Sequence, residues 1–213
     1  MEQKLKYLIS PEFNSFYKFS PKLKVAVLAS GEGTNFQVLI DLSKNKKLDI
    51  DIKILICNNK NVGCINRASK SNIPYLILDD SDFNSKKDFE HKIIDILKQK
   101  QIELIVMAGW MKIVSPYFIN NFKNKIINIH PSILPSFKGK SPVKDSLNND
   151  SLITGCSIHF VVPEVDSGKL IIQGALPIES NDNVESLTKK IHKLEHIILP
   201  YAVSEAGKII RKN

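Results

Sequence analysis

The 213-residue sequence is poor in arginine: 30 of its residues are Lys or Arg, but only Arg67 and Arg211 are arginine. Its formal net charge of +8 is therefore carried by lysines, which are scattered along the chain. Proteins that bind nucleic acid favour arginine for bidentate contacts to bases and phosphates. We predict no nucleic-acid partner, and we expect the positive charge to attract an anionic small substrate.

The sequence also lacks a run of 18 or more apolar residues, which excludes a transmembrane helix, so we predict no membrane partner. Residues 1–21 contain charged residues and aromatics but no continuous apolar segment typical of a secretory signal. We predict that residues 1–21 are an N-terminal extension, either mobile or packed on the surface. Residues 22–213 are long enough for one α/β domain, and we expect a single domain there.

Cysteine is scarce as well, with Cys57, Cys64 and Cys156 and no Cys-x-x-Cys motif. An odd number of cysteines favours free thiols in a reducing compartment, which predicts a cytoplasmic protein. His192–His196 matches the H-x-x-E-H pattern of some zinc proteases, but the further ligand required downstream is missing. We predict no metal, and we expect the acid of this segment, Glu195, to reach a sugar hydroxyl instead.

Short apolar runs alternate with helical patterns along most of the chain. This alternation predicts an α/β fold with a doubly wound, mostly parallel, Rossmann-like sheet. The predicted strands are Leu23–Ala29, Ile50–Cys57, Pro74–Leu78, Leu104–Ala108 and Ile126–His130, and the predicted helices between them are a segment starting near Phe36, Val62–Ser71, Ser85–Lys100 and Pro116–Asn121.

The C-terminal third departs from this alternation. A helix is predicted over Ser141–Asn149. Two strands, Thr154–Val162 and Leu170–Leu176, follow with only a short link between them, which favours an antiparallel pair at the sheet edge. A long helix over Asn183–Gly207 is expected to be interrupted near Pro200.

A glycine-rich turn, Ser30–Asn35, links the first predicted strand to a helix. Such a turn presents backbone N–H groups to a phosphate at the helix N-terminus, and Thr34 or Asn35 can cap that helix. The G-x-G-x-x-G fingerprint would need glycine at Phe36, and no acid follows the second strand, so a dinucleotide fits poorly. Two alternatives stay open: a site for a single phosphate, as in a sugar monophosphate, or a tight turn with no ligand.

Two polar side chains, Asn128 and His130, end the apolar strand Ile126–His130. Residues two apart in a strand point to the same face, so we expect them side by side at its C-terminal end. An amide donor beside an imidazole suits acyl transfer, and the alternative is a strand-end histidine bonded to a backbone carbonyl. Asp166 is either a turn residue or a carboxylate placed against His130, whereas His159 is expected to be structural.

Several ordered motifs resemble the folate-dependent formyltransferases. They begin with Ser30-Gly-x-Gly-Thr-Asn35 and continue with Ala108-Gly-Trp-Met111. The others are Asn128-Ile-His-Pro-Ser-Ile-Leu-Pro135, Gly155-Cys-Ser-Ile-His-Phe-Val161, Asp166-Ser-Gly168, Ile172-Gln173 and Glu195-His196. The resemblance runs from about residue 22 to near the C-terminus and leaves residues 1–21 outside.

This resemblance implies an enzyme of purine biosynthesis with small-molecule substrates, which transfers a formyl group from 10-formyltetrahydrofolate, its co-substrate, to the amine of 5′-phosphoribosylglycinamide. It gives the chemistry to Asn128, His130 and Asp166. The substrate phosphate is assigned to Gly33, Thr34 and Asn35, and the ribose to Glu195. The implied folate-binding residues are Lys86, Met111, Lys112, Ile113, Val114, Asn128, Val162, Pro163, Glu164 and Val165.

Two departures from the family pattern keep an alternative open. Lys86 stands where the family usually has arginine, which removes a bidentate contact. Phe137-Lys-Gly139-x-x-Pro142 looks more like the deformylases that hydrolyse the same folate. The alternative function is therefore hydrolysis of 10-formyltetrahydrofolate. For either function, the chain is expected to be a monomer or a homodimer.

Overall fold

The computed structural model describes residues 7–212, so the first six residues of the predicted extension, and Asn213, lie outside the described part. One sheet of eight strands runs through this part, in the order β1-β8-β7-β6-β5-β2-β3-β4. The strands are β1 Leu8–Ser10, β2 Leu23–Ala29, β3 Ile50–Cys57, β4 Tyr75–Ile77, β5 Leu104–Met107, β6 Ile126–His130, β7 Ile153–Phe160 and β8 Leu170–Pro177. The helices are α1 Thr34–Lys44, α2 Gly63–Lys70, α3 Lys86–Gln99, α4 Pro116–Asn121, α5 Pro142–Asn148 and α6 Val184–Lys212.

The central strands β6, β5, β2, β3 and β4 are parallel, whereas β7, β8 and β1 continue the sheet antiparallel. The predicted fold, a mostly parallel doubly wound sheet with an antiparallel C-terminal pair, is confirmed. Its parallel strands are nearly continuous apolar runs because helices cover both faces of the sheet. Along β2, Val25 and Val27 face one buried cluster and Ala26 and Leu28 the other.

The face of the sheet that Val25 and Val27 enter is packed against α1 and α6. The opposite face is packed against α3 and α4, through residues such as Phe89 and Phe118. The strands β2, β5 and β6 are parallel neighbours, so their carboxyl ends meet at one edge. Loops at this edge carry most of the residues singled out from the sequence.

The predicted pair β7 and β8 is antiparallel, but its place at the sheet edge is wrong. β1, which belongs to the predicted extension, pairs with β8 from Leu8 opposite Ala175 to Ser10 opposite Gln173 and forms the edge. The following residues run back along α6, where the Phe13 ring stacks on Tyr201. Residues 7–21 therefore pack on the domain, because β8 offers unpaired backbone groups and α6 offers an apolar strip.

Replacing Phe19 by alanine tests how much this packing contributes. Phe19 is only 9% exposed, its ring contacts Gly207, and the Arg211 guanidinium lies 5.2 Å from the ring centroid. We expect the free energy of unfolding to fall by roughly 3 kcal/mol, as for other large-to-small changes in a core. Urea unfolding measures this. The control Leu8→Ala removes a side chain that is 73% exposed and should change stability by less than about 0.5 kcal/mol.

The predicted interruption of the last helix near Pro200 is also wrong, since α6 continues through this residue to Lys212. Proline removes one backbone hydrogen bond and costs about 3 kcal/mol in a helix interior. Buried neighbours on both sides, including Leu199 and Ala202, hold the helix in place through their contacts with the core. No helix within residues 7–212 combines the length and apolarity needed to cross a membrane.

Candidate active site

Asn128 and His130 lie on the same face of β6, as their spacing predicts. The alternate residues Ile127 and Ile129 point to the opposite face and belong to the cluster that includes α6. On the neighbouring strand, His159 is directly opposite Asn128 in the antiparallel register. The pleat therefore places one amide and two imidazoles on the same face of the sheet.

Two loops fold over this face and bring a carboxylate to it. The Asp166 carboxylate lies 3.4 Å from His130, measured from Oδ2 to Nδ1. The backbone N–H of Gly139 donates to the same Oδ2 at 3.0 Å, and Lys138 Nζ donates to Ser167 Oγ at 2.6 Å. The 137–140 and 164–168 loops are thus fastened to each other, and Asp166 is the carboxylate placed against His130, one of the two alternatives seen in the sequence.

His159 also faces this carboxylate, which the sequence did not predict. Its Nε2 lies 3.7 Å from Asp166 Oδ1 and 3.3 Å from Asn128 Nδ2, and its Nδ1 is 2.9 Å from the Phe160 carbonyl oxygen. The expectation that His159 is only structural is therefore incomplete. The strand pattern places His159 on the same face as Ser157. The pattern does not show that His159 lies opposite Asn128, because that register depends on the fold.

Asp166 is held in its charged form. Burial by itself raises the pKa of this carboxyl, but its contact with the His159 ring, the hydrogen bond from the Gly139 backbone and the nearby His130 ring outweigh burial and lower the pKa below its ordinary value. The carboxylate is thus ionised at neutral pH.

The second ring nitrogen of His130 contacts a backbone carbonyl. Nε2 lies 2.8 Å from the carbonyl oxygen of Phe137, so both ring nitrogens face oxygen acceptors. Only a doubly protonated ring can donate to both. His130 therefore makes both contacts that the sequence left as alternatives, one to a backbone carbonyl and one to a carboxylate. A substrate oxygen would compete with the Phe137 carbonyl for the Nε2 proton.

The glycine-rich turn forms a cradle of backbone donors at the start of α1. Gly33 adopts φ 69°, a left-handed conformation, and precedes the first helical residue, Thr34. No side chain caps this helix, so the predicted capping by Thr34 or Asn35 is wrong. The first-turn N–H groups of an uncapped helix have no intrahelical acceptor and form a site for an anion such as phosphate.

The expected substrate-binding acid lies directly behind this cradle. Asn35 Nδ2 donates to Glu195 Oε2 at 2.7 Å, and both side chains are buried. Asn35 Oδ1 is buried and has no hydrogen-bond partner within the described residues. An unpaired buried acceptor is costly, so a hydroxyl donor from a ligand would be favourable here.

Burial of Glu195 predicts a pH-dependent stability. It raises the pKa of this carboxyl from 4.5 to about 7, against a smaller opposing effect of the Asn35 hydrogen bond. The folded chain therefore binds this proton more tightly than the unfolded chain. The stabilisation is complete below pH 4.5, falls as the pH rises to about 7, and amounts to roughly 3 kcal/mol.

Glutamine cannot ionise, so Glu195→Gln should abolish this dependence. The difference in unfolding free energy between wild type and variant, from urea titrations, should shrink by roughly 3 kcal/mol between about pH 4 and pH 8. The exposed Glu12→Gln serves as the matched control and should show no such trend. A constant difference for Glu195→Gln would contradict the assignment.

The cradle and the Asn128 face meet at one edge of the sheet. Ser30 N donates to the Gly109 carbonyl oxygen at 3.0 Å, and Met111 N donates to Ser30 Oγ at 3.0 Å, which ties the loop after β2 to the loop after β5. β6 is the next strand but one from β2. Two strand spacings correspond to about 10 Å, the length of a small sugar phosphate.

The predicted folate-binding residues differ in their exposure to solvent and in their contacts. Met111 is 81% exposed, and Ile113 and the 163–165 segment are also exposed, whereas Val114 is buried in the core. Lys112 pairs with Asp80 at 2.5 Å. Lys86 lines a separate cleft with Lys87, Glu90, Ser115 and Tyr117, and its Nζ is 4.0 Å from Glu90 Oε1.

A buried polar network supports the loop that follows His130. Ser157 Oγ accepts from Leu134 N at 3.0 Å and donates to the Ser132 carbonyl oxygen at 2.7 Å. Gln173 Nε2 donates to Leu134 O and to Ser157 Oγ, both at 2.9 Å. Ser157 and Gln173 therefore hold the backbone of this loop, a role that the sequence did not indicate.

Comparison with known proteins gives matches over most of the chain. The family model described as Formyl transferase matches residues 23–203. The trifunctional purine biosynthetic protein adenosine-3 of Chironomus tentans is 40% identical over 185 residues, which are 86% of this chain and 14% of that protein. The protein of the same name from Gallus gallus is 38% identical over 90% of this chain and 20% of its own length. The chain thus spans at most a fifth of these two relatives.

Solved structures match over nearly their whole length. The phosphoribosylglycinamide formyltransferase from Bacillus Halodurans is 34% identical with a TM-score of 0.83, covering 88% of this chain and 95% of its own. The glycinamide ribonucleotide transformylase 1 from Symbiobacterium toebii is 30% identical with a TM-score of 0.87, covering 92% of both chains. The chain therefore belongs to the formyl transferase family.

Proposed function

We propose that this protein transfers the formyl group of 10-formyltetrahydrofolate to the amine of 5′-phosphoribosylglycinamide, a step of purine biosynthesis. The observation that carries the proposal is the meeting of two features at one sheet edge. One is the uncapped helix N-terminus at Gly33, which suits a phosphate, and the other is the Asn128, His130 and Asp166 group. The names of the solved relatives agree with this acceptor.

Asn128 is proposed to stabilise the oxygen of the formyl group. The substrate amine attacks the formyl carbon, a new C–N bond forms, and negative charge develops on the formyl oxygen. The Asn128 amide is partly exposed and has N–H bonds that can donate to this oxygen. Its Nδ2 lies 3.3 Å from His159 Nε2, which orients the amide.

His130 and Asp166 are proposed to act together on charge and protons. A protonated His130 adds positive charge beside the same oxygen, and the Asp166 carboxylate holds the ring. For Nε2–H to reach the substrate directly, the Phe137 carbonyl must turn away. The proton released by the attacking amine must reach the departing folate nitrogen as its bond to the formyl carbon breaks.

The phosphate and ribose of the acceptor are proposed to bind at the cradle. Gly33, Thr34 and Asn35 would donate backbone N–H groups to the phosphate, while Glu195 would accept from a ribose hydroxyl. The folate would lie against the exposed residues after β5 and β7. In this arrangement no step requires a metal ion.

An assay with 10-formyltetrahydrofolate, with and without 5′-phosphoribosylglycinamide, tests the proposal. We expect rapid appearance of the N-formyl product and tetrahydrofolate only when the amine is present. Equal formyl release without the amine would instead indicate a hydrolase. Absence of both reactions would overturn the proposed catalytic function and favour a binding role.

A further inference from the structure

Two buried thiols lie next to the phosphate cradle and take no part in the proposed reaction. Cys64 Sγ donates to Cys57 Sγ across 3.6 Å, and Cys57 Sγ in turn donates to the Asn59 carbonyl oxygen at 3.1 Å. Cys57 ends β3 and Cys64 lies in the first turn of α2. A disulfide requires about 2.05 Å between its sulfurs, so joining them needs a movement of about 1.5 Å.

The cradle packs directly on Cys64. A Cβ placed on Gly33 would lie 2.6 Å from Cys64 Cβ and 2.9 Å from its Cα, so no free space separates the two backbones. Cys64 N also donates to the Gly31 carbonyl oxygen at 3.1 Å. Because interiors are close-packed, a shift of Cys64 is transmitted to Gly31–Gly33.

Two further contacts tie the same two segments together. Asn59 Nδ2 donates to the Ser30 carbonyl oxygen at 2.6 Å, and Arg67 Nε donates to the Glu32 carbonyl oxygen at 2.7 Å. Asn59 is also the residue whose carbonyl accepts from Cys57. Both thiols are therefore linked to the loop that positions the cradle.

We propose that Cys57 and Cys64 form a reversible disulfide with a peroxide as oxidant, and that this modification weakens binding of the phosphate-bearing substrate by displacing the Gly31–Gly33 loop. The effect on catalysis rests on the proposed function of the cradle, whereas disulfide formation itself does not. Reduction by a dithiol restores the original loop.

The chemistry balances with one peroxide per disulfide. The Cys57 thiolate attacks hydrogen peroxide, its sulfur becomes a sulfenic acid, and hydroxide leaves. The Cys64 thiol then attacks this sulfur and the S–S bond forms. The S–O bond breaks, and the leaving hydroxide takes the proton of the Cys64 thiol to give water. Two thiols and one peroxide give one disulfide and two waters, with each sulfur oxidised by one electron and the peroxide reduced by two.

Cys57 is suited to be the attacking thiol. The hydrogen bond from Cys64 lowers the pKa of the Cys57 thiol to about 7, while the same contact raises that of Cys64. The third cysteine, Cys156, has the pKa of its thiol raised well above the ordinary range by burial, so it supplies an internal control.

The test treats the full reduced chain with one equivalent of hydrogen peroxide. We expect the intact mass to fall by about 2 Da, a peptide that links Cys57 to Cys64, and Cys156 still free. The KM for the phosphoribosyl substrate should rise by about tenfold or more, the usual loss of affinity when a hydrogen bond to a charged group is removed. The KM for the formyl folate should change much less, and dithiothreitol should reverse both changes.

Two cysteine variants and a ligand that carries a phosphate distinguish a failure of this inference from a failure of the proposed function. Cys57→Ala and Cys64→Ala each remove the disulfide, so the ratio of KM before and after peroxide should stay near one in both. Calorimetric titration with ribose 5-phosphate should show the same weakening in the oxidised wild type without any formyl transfer. If the reduced chain shows no formyl transfer, the proposed function is overturned, whereas the inference about the disulfide is not. Failure to form the disulfide, or a disulfide with unchanged ribose 5-phosphate affinity, would overturn this inference.

Discussion

Replacing Asn128 by alanine is expected to lower kcat by about 10²–10³-fold, the usual cost of removing one donor to a developing oxyanion. The KM values should change by only a few-fold, because the lost interaction is made mainly in the transition state. Steady-state kinetics with both substrates measure this. The Asn128 amide lies on the same face as His130 and contacts His159. The substitution therefore removes the uncharged side chain beside the two imidazoles and leaves both imidazoles in place.

The control for this variant is Asn148→Ala. Asn148 is exposed at the end of α5, so the same change of side chain should leave kcat within about twofold. Circular dichroism of Asn128→Ala should match the wild type, which separates a catalytic effect from unfolding. A loss confined to KM would show that Asn128 binds substrate rather than stabilising the transition state.

Replacing Asp166 by asparagine is expected to lower kcat by a similar factor, about 10²–10³-fold. Asparagine has nearly the same shape and still offers an oxygen to Gly139 N, but it carries no charge that can hold His130 and His159. In the wild type this charge is secured by the lowered pKa of the carboxyl. The measurement is kcat at neutral pH together with the affinity for each substrate.

The matched control is Asp150→Asn. Asp150 has φ 49°, the same left-handed conformation as Asp166, and its side chain is exposed. It therefore reproduces the backbone effect of the substitution without the charge contacts. Wild-type kcat in Asp166→Asn would contradict the role given to the carboxylate, whereas equal losses in both variants would point to the backbone.

Much of this arrangement could be predicted from local patterns. The strand Ile126–His130 has the bounds that its apolar run predicted, and the two-residue period places Asn128 and His130 on one face. The glycine-rich turn does precede a helix, and hydrogen bonds tie Ser30 to the loop after β5 at the same edge of the sheet. The roles of these residues in substrate binding and catalysis remain predictions.

Other features depend on contacts between distant segments. His159 reaches Asp166 because of the antiparallel register of β6 and β7, which no local pattern specifies. β1 covers the edge of β8, and Pro200 stays within α6, because packing of neighbouring residues outweighs local preference. Thr34 does not cap α1 because the chain enters the helix through a left-handed Gly33.

By itself, the sequence determined the alternation of strands and helices, the parallel sheet, and which polar side chains end its strands. These follow from apolar periodicity and turn residues within a few positions of each other. Only the tertiary structure decided that Asp166 lies between two histidines, that Asn35 and Glu195 form a buried pair, and that Cys57 and Cys64 meet behind the cradle. The physical reason is that such contacts join residues 7 to 160 positions apart, whose meeting is set by strand register and loop packing.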